Sequence, residues 1–222
     1  MNNLSNIEKE AQQNSKIAQY EKELAQKSKI NAMIEIKKSK AREKLCKIEF
    51  ELSDKKKDLA EKRRILAKTK SEIKKNNILD FSEEELKIEN NYAIYNEQIS
   101  KNQKEIAEIN RKIALVERQI AEEKLKLANE KLDVAKARDK LANKQLAYLK
   151  VAKAPTSEDK LSTAKNNAEN EKKRLIKQKN DVLEKEKDIQ KKENKLADLK
   201  KEFSSKLAER EKIRHPGVIL AE

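Results

Sequence analysis

The sequence predicts an all-α protein: three long antiparallel coiled-coil helices joined by two short breaks, an extended rod rather than a globule. Three observations predict it. First, the 222 residues are 42% charged and 3% aromatic, with one glycine and two prolines. A globular domain of this size uses many glycines in its turns. Second, apolar residues recur at alternating steps of three and four, the spacing of helices packed along heptad seams. Third, only two stretches between the long periodic runs carry helix-stopping signals.

The first helix is expected over roughly residues 3–78. Leu45, Leu52, Leu59, Leu66 and Ile73 fall at position a of a heptad, with Ile48 at d but also Lys55, Lys62 and Thr69. Upstream, Ile30, Met33, Ile34 and Ile36 break that register, as a stutter would. The chain then reads NNILDFSEEEL from Asn76 to Leu86. Asn76 and Asn77 suit a helix stop, because asparagine tolerates the left-handed conformation. Ser82 is a candidate N-cap with Glu85 completing a capping box, and Phe81 and Leu86 occupy the staple positions. Glu83, Glu84 and Glu85 suit the positive end of the next helix.

The second helix, roughly 83–153, has the strictest register. Its a row is Tyr92, Ile99, Ile106, Ile113, Ile120, Leu127, Val134, Leu141 and Tyr148. Tyr95, Asn102, Ile109 and Val116 fill d in its first half, with Asn102 expected to fix register at some cost in stability. These residues are the candidate self-association seam. A second row follows the same beat: Ala121, Leu125, Ala128, Leu132, Ala135, Ala142, Leu146 and Leu149. At about 100° per residue its centre lies roughly 150° from the a/d seam. A helix with two nearly opposed stripes is suited to lie between two partners, and small residues let one of them come close. Alanine is also the best helix former, which explains its presence but not its fixed interval.

Lys153 to Leu161, KAPTSEDKL, marks the second break: Pro155 cannot continue a helix, and Thr156 or Ser157 can cap the next one. The third helix, roughly 157–214, has Leu161, Ala168, Leu175, Val182, Ile189, Leu196 and Phe203 at a and a mostly polar d row. Pro216-Gly217 should stop it. At about 1.5 Å per residue the helices would be about 110, 105 and 85 Å long. The corresponding domain division is 1–80, 81–153, 154–214 and a short non-helical tail, 215–222. The long hairpin followed by IRHPGVILA, Ile213 to Ala221, resembles the return of a coiled-coil hairpin into a lipoyl-like domain in membrane-fusion adaptor proteins, but the N-terminal residues show no counterpart of the other half of that domain, and the resemblance assigns no residue role. Val218-Ile219-Leu220 reads either as a docking peptide or as the entry to a further domain.

No catalytic or metal-binding constellation is legible. There is no glycine-rich phosphate loop, and His215 is the only histidine, placed where a cation would cap a helix end. Cys46 is the only cysteine, so an internal disulfide is impossible and an inert free thiol is expected. No enzyme activity, cofactor or small-molecule substrate is expected. No apolar stretch reaches the roughly 18 residues a membrane span needs. The start, MNNLSNIEKE, lacks the features of a secretory signal. The expected location is the cytoplasm or a bacterial or viral assembly.

The net charge is +14, most of it in the first helix. Within DKKKDLAEKRR, Lys55, Lys56, Lys57, Lys62, Arg63 and Arg64 could bind phosphates or an anionic membrane. Asp54, Asp58 and Glu61 dilute that patch, and no aromatic side chains interleave for base stacking. The leading expectation is therefore a structural coiled-coil protein, a self-associating scaffold, spacer or filament subunit whose partner is another copy or another coiled coil. The alternative is a basic coiled coil that binds nucleic acid or anionic lipid.

Overall fold

The computed structural model describes residues 2–76 and 82–213. Three α-helices account for almost all of them: α1 (Asn2–Lys75), α2 (Glu83–Lys153) and α3 (Glu158–Glu211). The described residues contain no strand, and none of these helices is long and apolar enough to cross a membrane.

The breaks form where the local chemistry requires them. The Ser82 carbonyl accepts from Leu86 N at 3.1 Å and its hydroxyl from Glu85 N at 3.5 Å, so Ser82 starts α2 as its N-cap. Phe81, the other half of the expected staple, and Asn77 lie outside the described residues. At the second break the two candidate caps divide the work. Ser157 starts α3, its carbonyl accepting from Lys160 N at 3.1 Å. The Thr156 hydroxyl turns back to donate to the carbonyls of Val151 and Ala154, both at 3.2 Å. It satisfies the end of α2 rather than the start of α3. Helix α3 ends at Glu211, slightly before the expected point, with Ile213 N donating to the Arg210 carbonyl. Arg214, His215, the Pro216-Gly217 stop and the apolar tail lie outside the described residues.

The chain forms two compact units, each taking a part of every helix. Unit one comprises Met1–Lys37 and Arg118–Glu193. In it Glu8, Asn14 and Glu21 of α1 meet Lys153, Gln145 and Arg138 of α2, so numbers rise along one helix as they fall along the other. The same holds for α2 and α3, where Glu123 meets Lys192 and Lys131 meets Glu186. Val134, Ala137 and Leu141 of α2 pack on Leu175 and Val182 of α3. Leu175 and Val182 are a-row residues, one heptad apart, as are Val134 and Leu141.

Unit two comprises Lys38–Glu117 and Asn194–Glu222. Arg42, Asp54, Arg64 and Lys70 of α1 pair in turn with Glu117, Lys104, Glu97 and Glu89 of α2. Helix α2 also meets α3 in this unit: Glu105 pairs with Lys206 at 3.1 Å, and Asn102 Nδ2 donates to the Lys206 carbonyl at 3.4 Å.

Candidate interaction surface

The residues α1 buries are not its leucines. Beside the polar Asn14, they form a row of small residues: Ala11, Ala18, Ala25 and Ala32 in unit one, and Ser39, Cys46, Ala60 and Ala67 in unit two, with Ser53 half-buried. Every interval along this row is seven residues or a multiple of it. Helix α2 buries a matching row: Ala121, Ala128, Ala135, Ala142 and Leu149 in unit one, and Ala93, Ser100, Ala107 and Ala114 in unit two.

The polar pairs flanking these rows set them against each other. In unit one the Asn14–Gln145 hydrogen bond and the Glu21–Arg138 ion pair bracket Ala18 and Ala142. Ala32 and Ala128 line one small groove, closed in by Lys124 and Lys131. In unit two Arg64–Glu97 and Lys70–Glu89 bracket Ala67 and Ala93. Small side chains on both helices let the backbones approach, and helix separation follows the size of the residues at the contact. Ala11 and Ala114 lose all their exposure in this arrangement.

This accounts for the second row expected on α2. Ala121, Ala128, Ala135, Ala142 and Leu149 are buried, Leu125 and Leu132 half-buried, and Leu146 is exposed at the margin. The first row is also placed. Ile109, Ile113, Val116, Ile120, Val134 and Leu141 are buried. Tyr95, Ile99, Ile106, Leu127 and Tyr148 are half-buried, and Tyr92 is at the boundary of exposure. In unit one the Val134–Leu141 part of this row is covered by α3 of the same chain. The expected self-association seam is thus occupied in cis there. Asn102 is buried at 7% exposure and bonded to α3 through Nδ2, while its Oδ1 has no hydrogen-bond partner. Such a residue costs stability in a way a wrong register would not recover.

The expected seam of the first helix is displaced. Leu45, Ile48, Leu52, Leu59 and Leu66 are all more than half exposed, from 51% at Leu59 to 62% at Ile48. A leucine row would hold α1 away from α2, whereas the small row one residue later permits close contact. The dipeptides Leu45-Cys46, Leu52-Ser53, Leu59-Ala60 and Leu66-Ala67 therefore point large residues outward and small ones inward. Their spacing matches that of Ile113-Ala114, Ile120-Ala121, Leu127-Ala128 and Val134-Ala135 on α2, and this shared beat is the signal that could have found the inner row.

The candidate anion-binding residues flank this leucine row. Lys55, Lys56, Lys62 and Arg63 are exposed and Lys57 is half-buried. Arg64 is engaged with Glu97 at 2.5 Å. Nearby, Phe50 of α1 receives Lys104 and Arg111 of α2 near its ring face at 5.7 and 5.8 Å.

The shifted titratable groups are all parts of helix contacts. Burial pushes the Cys46 thiol up, and Glu49 adds to this. Donation from Lys192 holds the Glu123 carboxyl below its usual range, with Lys126 assisting. The hydrogen bond to Asp54 raises Lys104, and bonds to Glu209 and Glu105 raise Lys206. A cleft of unit one collects Glu130, Asp133, Asp181, Glu184 and Asp188 with Lys185. Among the described residues no cluster has metal-ligand geometry. The chain matches no protein-family model, and no curated protein matches it in sequence.

Proposed function

We propose that this chain is a non-enzymatic structural protein, a self-associating scaffold, spacer or filament subunit of a larger cytoplasmic, bacterial or viral assembly. In this reading its helices pair antiparallel as coiled coils and the chain is extended rather than globular. The opposed numbering of the ion pairs supports the antiparallel pairing. The heptad rows support the coiled coil, since each inner row keeps its sevenfold interval.

The observation that carries the functional reading is the aliphatic row on α1. Leu45, Leu52, Leu59 and Leu66 keep a heptad interval on an exposed face, while the α2 rows are spent inside the chain. Apolar side chains scattered singly on a surface need no explanation; a row in register is what a further helix recognises. Sedimentation across a dilution series tests the reading. Mass that rises with concentration supports it, and a monomer at every concentration refutes it.

A further inference from the structure

The α1 leucine row has charges on both flanks, and their order selects a partner. With Leu45, Leu52, Leu59 and Leu66 at a, the g positions hold Lys44, Glu51 and Asp58 and the e positions hold Glu49, Lys56 and Arg63. All six are exposed. Glu51 makes only a loose 3.9 Å contact with Lys47 on its own helix.

In a parallel coiled coil, each g residue faces the e residue five positions later on the other helix. Two copies of α1 in register would set Lys44 against Glu49, Glu51 against Lys56 and Asp58 against Arg63. All three couples are of opposite sign, and twofold symmetry doubles them. In an antiparallel pair, e faces e and g faces g. The registers that overlap this segment most each bring like charges together: one sets Lys56 and Asp58 against their own counterparts, and another sets Glu51 against Asp58.

We infer that residues 44–66 of α1 form a parallel, in-register homodimer surface, the occupant being the same segment of a second copy. This rests on the self-association reading above and names its surface. Leucines fill the a layers and Ile48 one d layer. Lys55 and Lys62 occupy two other d layers, where their stems can lie along the seam while the ammonium groups reach water. Two such layers keep the association weak and reversible. They also place the basic run beside the seam, which gives its charges a pairing role in addition to solubility.

Sedimentation velocity on the full chain tests this, with circular dichroism to verify helix content. Leu52→Lys with Leu59→Lys should abolish the dimer without loss of helix, since both leucines face solvent. Glu51→Lys should weaken it by about tenfold, roughly 1.4 kcal/mol, and adding Lys56→Glu should restore it. Lys55→Leu with Lys62→Leu should tighten it. In a Cys46→Ser background, oxidised Leu52→Cys should cross-link to its own counterpart, as only a parallel in-register pair brings equivalent a positions together.

An oligomer unaffected by the leucine and charge variants would overturn this surface and leave self-association standing elsewhere. A monomer at all concentrations would overturn both. Loss of anionic-vesicle binding in the leucine variant of an otherwise monomeric chain would assign the row to lipid instead.

Discussion

Arg138 of α2 holds Glu21 of α1 through two parallel hydrogen bonds, Nε to Oε2 and Nη2 to Oε1, each 2.8 Å long. The fork is the best-shielded ion pair between these helices in unit one, with 11% of the Arg138 side chain exposed. Its Nη1 also reaches Asn14 Oδ1 at 3.4 Å, and Asn14 donates to Gln145. A bidentate pair in partial burial is worth more than the exposed pairs along the same helices.

Arg138→Ala should therefore destabilise the chain by about 1.5–3 kcal/mol, because it leaves Glu21 and Asn14 without their donor. Arg138→Lys should recover only part of this, since one ammonium does not reproduce the fork. A double-mutant cycle with Glu21→Ala by urea denaturation measures the coupling. A coupling energy near zero would show that the fork contributes nothing.

Replacing an inner alanine should be far worse than replacing an outer leucine. Ala114→Leu forces an isobutyl group into a contact with no free exposure, at a cost of about 1–3 kcal/mol. Leu59→Ala removes a larger group from the exposed face and should change the monomer's stability by less than about 0.5 kcal/mol. Thermal melts at a concentration where only monomer is present check the order. Equal shifts would refute the assignment of the two faces.

Cys46 should be slow to react. It lies in the inner row with its thiol pushed toward the protonated form by burial, so both access and thiolate are scarce. A disulfide reagent should label it much faster in urea than in buffer. The raised folded value means the unfolded chain loses the thiol proton first. Its contribution to stability is complete below the unfolded value, about 8.5, and is lost as pH rises through the folded value. Cys46→Ala should flatten that alkaline decline, which urea titrations at rising pH would reveal.

Glu123 gives the opposite sign. Its folded value is lowered by Lys192 and then Lys126, so its contribution is present above the ordinary carboxylate range and is lost as pH falls through the folded value. Glu123→Gln should remove part of the acid-side decline in urea midpoint. It should leave the alkaline side unchanged, since Lys104 and Lys206 titrate there. An acid profile identical to that of the parent chain would show that Lys192 does not stabilise the carboxylate.

Much of the fold was legible because local chemistry and tertiary packing agree. The Ser82 cap, the break at Pro155 and the unbroken a row of α2 are all strong local signals. The two stripes of α2 were legible for the same reason, as their interval is strict. The inner row of α1 was not. Leu45, Leu52, Leu59 and Leu66 draw attention as the most apolar residues of that helix, yet the contact with α2 is decided by size. Ala60 and Ala67 bury less area each than a leucine would, but they fit where a leucine cannot. The role of Thr156 was similarly hidden: it lies in the short break between Lys153 and Glu158, and only the folded turn shows which helix end its hydroxyl serves.

The repeated small rows carry a hazard that the ion pairs correct. A ladder with similar rungs can be climbed one rung at a time, and small residues recurring every seven positions let adjacent registers of α1 on α2 close in much the same way. Sliding by one heptad in one direction would bring Glu49 to Glu117 in place of Arg42. Sliding the other way would bring Lys47 to Lys104 in place of Asp54. In either case Arg138 would find Ser28 or Asn14 instead of a carboxylate. The alanines make the ladder climbable, and the charges beside them decide on which rung the chain comes to rest.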